Sequence, residues 1–577
     1  MNSKPVYEVR PIRDLKDMLK QSVELFGSKN AFLVKTGDDN YKGITYSQFK
    51  EDVDALGTAL TNLGLKDKFI AVIGENRYEW CVTYLSVVNG VGVIVPLDKE
   101  LPEHEIENLL TRSNAAAVVF SGSFSEQMKA FSSKLSTVKY FINMDSSEED
   151  TPETKEGFLS FRGLINHGKK LLASGDRSYI DADIDPEKMS ILIFTSGTTG
   201  ASKAVMLSHK NICSNMSAVC SSLYIDSNDS VLSILPLHHT YECTAGFLVM
   251  IYNGCTISFN EGLKHIAKNL KEVKPTIVIL VPLIIENMYK KIWEQASKNR
   301  GLKTKLKIAM FISDILYNVF KIDIRRKIFK QIHDNIGGRV RLIISGAAAL
   351  NPKVAKGFTS FGIKLRQGYG LTECSPIVTV NRDDEFRHDS IGKALPGLEV
   401  KIDNPDEYGY GEIIVKGDSV MLGYFQDPEA TEKVLKDGWL YTGDLGKVDN
   451  EGFFYITGRK KNVIVTKNGK NIYPEELEAS LNKSLYILES LVWGKNVEGS
   501  DETIVCAKIV PNFEAISNKL GLENPPEEEI HKIIKAEVKA VNKSLPMYKR
   551  IHEFSIRYEE FEKTTTRKIK RYLENQQ

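Results

Sequence analysis

CxxC pairs are absent from this sequence, and so is any other close grouping of thiols. The seven cysteines (Cys81, Cys213, Cys220, Cys243, Cys255, Cys374 and Cys506) are scattered. That argues against a zinc site or a disulfide framework and fits a reducing, cytoplasmic setting. Excess charge of one sign is missing too: 76 Lys and Arg stand against 75 Asp and Glu, for a net charge of +1. No global field therefore draws nucleic acid or an anionic membrane. The longest apolar runs, such as Thr276–Ile285 (TIVILVPLII), fall short of the ~20 residues that cross a bilayer. The N-terminus, MNSKPVYEVRPIRDLKDML, carries charges where a signal peptide needs an apolar segment. A cytoplasmic protein is expected, with transient peripheral contact with a membrane left open. Internal repeats and low-complexity linkers are also lacking.

What is present is ordinary for a globular protein, 42% hydrophobic and 26% charged. A length of 577 residues calls for several domains. KFIAVIGENRYEW, VGVIVPLD and NAAAVVFSG each read as a strand. Between the last two, PEHEIENLLTRS has apolar residues at helical spacing with Pro102 near its start. Strand, helix, strand in this order predicts a parallel sheet covered by helices. The pattern recurs at SVLSILPLHH, GCTISFN, PTIVILVP and VRLIISGAAAL. From about Asp389 the texture shifts to short strands with turn signals, suggesting a small antiparallel sheet or barrel. A boundary near Gly458–Lys461 divides the chain into an N-terminal part, 1–460, and a small C-terminal domain, 461–577. The fold class is α/β: parallel αβ-type sheets, a small β-barrel-like subdomain, then an α+β domain.

Four segments carry chemistry. In ILIFTSGTTGASK an apolar strand runs into Thr195, Ser196, Gly197, Thr198, Thr199 and Gly200 and reaches Lys203. Glycines let backbone amides approach a ligand closely, hydroxyls add donors and the lysine adds a charge, a combination that suits a polyphosphate. The spacing is not that of a Walker A loop. In RQGYGLTECSP, Gly368 and Gly370 flank Tyr369, which could stack on a flat ring. Thr372 and Glu373 follow, a hydroxyl and a carboxylate of the kind that Mg²⁺ takes beside a polyphosphate. In WLYTGD, Asp444 is suited to accept two hydroxyl protons of a ribose, with Arg459 of GRKK as reinforcement. Near the end, KTTTRKIKR is a basic run with no interleaved aromatic residue to support nucleic-acid binding.

In this order and at these separations the four segments resemble the adenylate-forming superfamily, which includes acyl-CoA synthetases, firefly-type luciferases and peptide-synthetase adenylation domains. The resemblance runs from about Asp14 to the end. It implies that Thr195, Ser196, Gly197, Thr198, Thr199, Gly200 and Lys203 surround the ATP phosphates. Gln367, Gly368, Tyr369 and Gly370 would meet adenine, with Thr372 near the α-phosphate and Glu373 on Mg²⁺. SGAAAL, with Gly346 and Ala347, would close over adenine; Asp444 and Arg459 would hold the ribose. Lys461 matches the hinge of a mobile C-terminal domain, Lys568 the lysine that bridges the substrate carboxylate and α-phosphate, and Gly469 the side facing coenzyme A. Thr195, Glu373 and Lys568 form the implied catalytic set. Ser202, Ala204 and Arg567 depart from the family's usual Pro, Gly and Gly.

The resemblance implies ATP-dependent conversion of a carboxylic acid to acyl-AMP, then transfer to coenzyme A. Transfer to an acyl carrier protein and a silent ATP- or acyl-binding protein are the alternatives. LPLHHTYECTAGFLVMIYNG places His238 and Tyr241 ahead of an apolar helix, where with Gly346 they would line an acyl tunnel or belong to an ordinary core. The basic, amphipathic stretch Lys290–Phe329 resembles the corresponding region of long-chain fatty acyl-CoA synthetases, and would equally suit a membrane-surface or dimer contact.

Overall fold

The computed structural model describes residues 3–37, 40–146, 157–195, 202–298, 301–465, 471–496, 503–563 and 569–574. The chain forms two compact units, Met1–Glu399 with Lys416–Leu440, and Val400–Val415 with Tyr441–Gln577.

The first unit holds two large sheets. In the nine-stranded one, the neighbours Asn30–Gly37, Thr256–Phe259, Ser230–Ser233, Ile277–Leu280, Leu342–Ser345 and Lys364–Gly370 run parallel. Antiparallel strands, Asn40–Thr45 on one side and Ile377–Val380 with Lys393–Ala394 on the other, finish its edges. In the eight-stranded sheet, Met189–Thr195, Gly92–Leu97, Lys68–Ile73, Ala115–Phe120, Tyr140–Asn143 and Phe158–Ser160 are parallel. Lys203–Ser208 and Gly423–Tyr424 add antiparallel strands beside Met189–Thr195.

The continuous apolar runs read from the sequence are these parallel strands. A strand covered by helices on both faces has no polar side to show: Ile70, Ala71, Val72 and Ile73 are all fully buried. The helix expected after Pro102 spans Glu103–Arg112 and buries Ile106, Leu109 and Leu110, which pack with Val118 and Phe120 of the adjoining strand. Helix starts follow their caps. Thr45 and Gln48 form a reciprocal capping box at Tyr46–Asn62, and Ser208 and Asn211 do so at His209–Cys220.

In the second unit, Ile487–Asn496, Thr503–Pro511 and Ile551–Ile556 form a three-stranded sheet, the first pair antiparallel and the second parallel. Helices Pro474–Leu481 and Glu527–Lys543 bury Leu477, Leu481, Ile530, Ile533 and Ile534 in its core. Gly411–Lys416 lies between Glu399–Asp403 and Trp439–Val448, and the last also pairs with Phe454–Arg459. Where the sequence suggested a small sheet or barrel, the structure has an open sheet; no ladder among the described residues joins its ends. Closure needs every strand paired on both sides, and these strands run out first. Within 1–460, residues Val400–Val415 and those from Tyr441 onward belong to the second unit.

Candidate active site

Met189–Thr195 is an interior strand, and it turns back into Lys203–Ser208 so that Thr195 pairs with Lys203. The Thr195 hydroxyl donates to the Lys203 carbonyl at 3.3 Å. Ser196, Gly197, Thr198, Thr199 and Gly200, which follow Thr195 in the sequence, lie outside the described residues. Lys203 Nζ stands 4.4 Å from the centroid of the Tyr424 ring, a cation–π distance. The Tyr424 hydroxyl donates to Glu373 Oε1 at 2.9 Å. One tyrosine therefore joins the expected phosphate lysine to the expected magnesium carboxylate. The sequence reading passed over Tyr424, because a tyrosine in GYFQDPEAT has no local mark of partners so far along the chain.

Glu373 sits in the turn Thr372–Cys374, just past the strand Lys364–Gly370. Two glycines shape the approach. A Cβ on Gly368 would lie 2.9 Å from the Thr379 carbonyl oxygen, and one on Gly370 only 2.0 Å from that of Pro376. That Pro376 carbonyl accepts the Leu371 N–H at 2.9 Å. Buried Asn215 ties the far side of the turn: its amide donates to the Cys374 and Ile377 carbonyls at 3.2 and 2.7 Å, and its oxygen accepts the Ile377 N–H. Asn215 is a positioning residue that sequence patterns do not reveal. Tyr369 is buried between these glycines at 8% exposure.

The neighbouring strand, Leu342–Ser345, ends at Ser345 with Gly346 and Ala347 just beyond it, and Ser345 is the register partner of Gln367. Ala347 adopts a left-handed φ of 71°, a conformation that costs energy outside glycine and recurs at functional turns. A Cβ on Gly346 would stand 2.8 Å from the Tyr241 ring, so glycine lets Tyr241 reach this strand end. Ser345 Oγ, Gln367 Oε1, Thr240 Oγ1 and Tyr241 Oη are buried without a protein hydrogen-bond partner. Buried polar groups are normally satisfied. Ser345, the last residue of its strand, and Tyr241, against Gly346 just past it, put orphans at the carboxyl end of a parallel strand, where α/β sheets bind ligands, and fit a polar small molecule.

Tyr241 and Gly346 are thus brought together. His238 lies against His239, ring centroids 4.1 Å apart, and its Nε2 is 3.6 Å from Asp98 Oδ2, too long for a hydrogen bond. Burial, aided by Lys99, lowers the His238 pKa to about 3, so the ring is neutral. Next to Tyr241, Glu242 accepts the Ser233 hydroxyl at 2.7 Å; Asn76 donates to the same Ser233 oxygen at 2.9 Å. Burial raises the Glu242 pKa from 4.5 to about 8. An acid kept neutral by burial is most stabilising below pH 4.5 and loses that advantage as pH climbs toward 8. Glu242→Gln is expected to flatten this fall, removing roughly 3–4 kcal/mol of pH dependence between about pH 5 and pH 8. Urea unfolding at several pH values checks it: parallel curves for the two proteins would refute a neutral Glu242.

In the second unit, Asp444 and Arg459 are cross-strand partners, with Arg459 Nε 2.6 Å from the buried Asp444 carboxylate. Beside them Glu412 accepts the Gly443 N–H at 2.9 Å and pairs with Lys460 at 2.8 Å. Burial, then the charges of Arg459 and Arg571, lowers the Lys461 pKa to about 8. Lys568 and Gly469 lie outside the described residues, yet the flanks of the basic run are firmly held. Lys563 and Ile569 form an antiparallel bridge, and Lys563 pairs with Glu489 at 2.8 Å. Arg571 pairs with Glu478 and donates to the Val492 carbonyl.

Among the described residues no three His, Cys, Asp or Glu side chains gather around a common metal position. Mg²⁺ commonly takes one or two carboxylates plus substrate phosphates rather than an all-protein cage. Glu373, linked to Lys203 through Tyr424, fits that habit.

The AMP-binding enzyme family matches residues 19–425. Long-chain-fatty-acid--CoA ligase 5 of Rattus norvegicus is 30% identical over 525 residues, which is 85% of this chain and 74% of that protein. Among solved structures, the anthranilate CoA ligase AuaEII in complex with anthranoyl-AMP has a TM-score of 0.76 at 20% identity, covering 99% of this chain and 97% of that one. The o-succinylbenzoate CoA synthetase MenE of Bacillus subtilis, in complex with ATP and a magnesium ion, gives 0.70 at 20%, covering 96% and 98%. At such identities these two bear on the fold alone. The family match spans most of the sequence, the rat ligase extends the likeness further toward the C-terminus, and on that footing the chain belongs to the AMP-binding enzyme family.

Proposed function

We propose that this protein joins a long-chain fatty acid to coenzyme A, using ATP and passing through acyl-AMP. The observation that carries the reading is the convergence of Lys203 and Glu373 on Tyr424 beside the orphaned strand-end groups. The 30% identity to a long-chain-fatty-acid--CoA ligase supports the acid and the acceptor.

In the first half-reaction a carboxylate oxygen attacks the α-phosphorus of ATP and pyrophosphate leaves. A carboxylate is a poor nucleophile toward an anionic phosphate, so the site must neutralise charge and align the reactants. Thr195, Ser196, Gly197, Thr198, Thr199, Gly200 and Lys203 hold the phosphates. Gly346, Ala347, Gln367, Gly368, Tyr369 and Gly370 receive adenine, Thr372 meets the α-phosphate, and Asp444 with Arg459 takes the ribose. Mg²⁺, when held by Glu373 and the phosphates, neutralises charge on the polyphosphate. Lys568 bridges the carboxylate and α-phosphate. Positioning alone supplies roughly 7–11 kcal/mol in well-aligned cases. In the second half the thiol sulfur of coenzyme A attacks the acyl carbon and AMP leaves. That step needs Lys568 withdrawn, and a rotation about Lys461 withdraws it while bringing Gly469 toward the thiol. His238, Tyr241 and Gly346 line the acyl chain's path.

Purified protein with ATP, Mg²⁺ and acids from acetate to palmitate tests this, with pyrophosphate and thioester followed separately. The expected result is thioester only when coenzyme A is present, fastest with the long acids. Pyrophosphate exchange that leaves coenzyme A unacylated would move the acceptor to a carrier protein, and preference for short acids would overturn the long-chain assignment.

A further inference from the structure

The helix Leu302–Asn318 has two apolar faces where a surface helix ordinarily has one. One face carries Leu306, Ala309 and Met310, packed on the core beneath the nine-stranded sheet. The opposite face carries Ile308, Phe311, Ile312 and Ile315, continued by Val319, at spacings of one helical stripe. Ile308 is 52% exposed, Phe311 67%, Ile312 49% and Val319 67%. Phe320 and Ile322 extend this bare surface beyond the helix at 62% and 51%. Exposed apolar patches of this extent mark interaction surfaces.

Charge specifies the occupant. The chain as a whole has a net charge of +1, yet residues 301–330 hold eight Lys and Arg against two Asp. On a helical projection Lys305 and Lys307 flank the bare stripe on either side. Among the described residues Lys303, Lys305, Lys307, Lys321 and Lys327 enter no ion pair, whereas the acidic Asp323 is taken by Arg325 at 2.7 Å. A twofold contact between two copies would set these lysines against one another. An apolar stripe bordered by lysines is instead the pattern of a helix lying in a lipid interface, apolar side among the acyl chains and cations at the headgroups.

We propose that Leu302–Asn318 and the segment after it dock this protein on an anionic lipid bilayer. The inference goes beyond the reaction and stands independently of it. Vesicle flotation of the full chain tests it, using phosphatidylcholine alone and phosphatidylcholine with phosphatidylserine, at low and high salt. The protein is expected to float with the phosphatidylserine vesicles, less so at high salt. Lys305→Gln combined with Lys307→Gln lowers the apparent affinity roughly ten- to thirty-fold, about five-fold for each lysine. Phe311→Ser with Ile312→Ser abolishes the salt-resistant part. All four positions are exposed, so thermal midpoints near the parent's accompany these losses. Failure of the parent to float with either vesicle would overturn the proposal, as would variants that float unchanged. Self-association abolished by Phe311→Ser without vesicle binding would assign the face to a second copy and overturn it equally.

Discussion

Lys568→Ala is expected to lower ATP–pyrophosphate exchange by a hundred- to a thousand-fold or more, while thioester formation from supplied acyl-adenylate stays within a few-fold of the parent. The first figure is what one preorganised charge at a developing anion contributes when removed. The asymmetry follows from geometry, because a lysine that bridges carboxylate and α-phosphate has no role once that bond exists. The described residues on either side of this position are tied within their own unit. Ile569 is bridged to Lys563, Lys563 is paired with Glu489, and Arg571 is pinned to Glu478 and the Val492 carbonyl. Both half-reactions are read in one rapid-mix experiment, so a general loss of fold is separable from loss of the cation. Equal loss of both halves would remove Lys568 from the proposed role.

Much of the framework was legible because its signals are local. Continuous apolar runs such as Ile70–Ile73 had to be strands buried on both faces, and Pro102 before an amphipathic stretch had to open a helix. The site was legible only as far as a motif carries its own chemistry. Lys203, Glu373, Asp444 and Arg459 could be picked out singly, and the cross-strand register that sets Asp444 against Arg459 follows from a short hairpin. Tyr424 and Asn215 could not. Their importance lies in partners such as Glu373 and Cys374, and no periodicity encodes a contact of that span. Glu242 was hidden for a different reason: a carboxyl in ECTAGFL reads as a solvated side chain until the fold buries it at 1% exposure. The open sheet of the second unit is one of the two forms its sequence allowed, since turn-punctuated short strands are equally the raw material of barrels and of sheets that stop short.

Gly370→Ala is expected to reduce adenylation by at least a hundred-fold and to lower the thermal midpoint by only a few degrees. The added Cβ would stand 2.0 Å from the Pro376 carbonyl oxygen, 2.8 Å from its carbon and 3.0 Å from Ile377 Cα. Backbone atoms cannot swing aside as a flexible side chain does, so the two segments must part. That same Pro376 oxygen accepts the Leu371 N–H, and parting them breaks the bond immediately before the Thr372–Cys374 turn. Glu373 rides on that turn, held from the other side by the Tyr424 hydroxyl and the Met421 N–H. A displacement near an ångström at a catalytic group costs on the order of a hundred-fold in rate. The loss of stability is smaller: one net hydrogen bond contributes about 1 kcal/mol, and Gly370 lies at the end of its strand rather than in the core. Gly397→Ala is the matched control, at a glycine with no atom within 4 Å of the added Cβ. Its positive φ of 84° makes alanine strained there and lowers the midpoint by a similar amount while sparing the rate. Adenylation that survives in Gly370→Ala would show that the turn tolerates displacement and would detach Glu373 from the reacting phosphate.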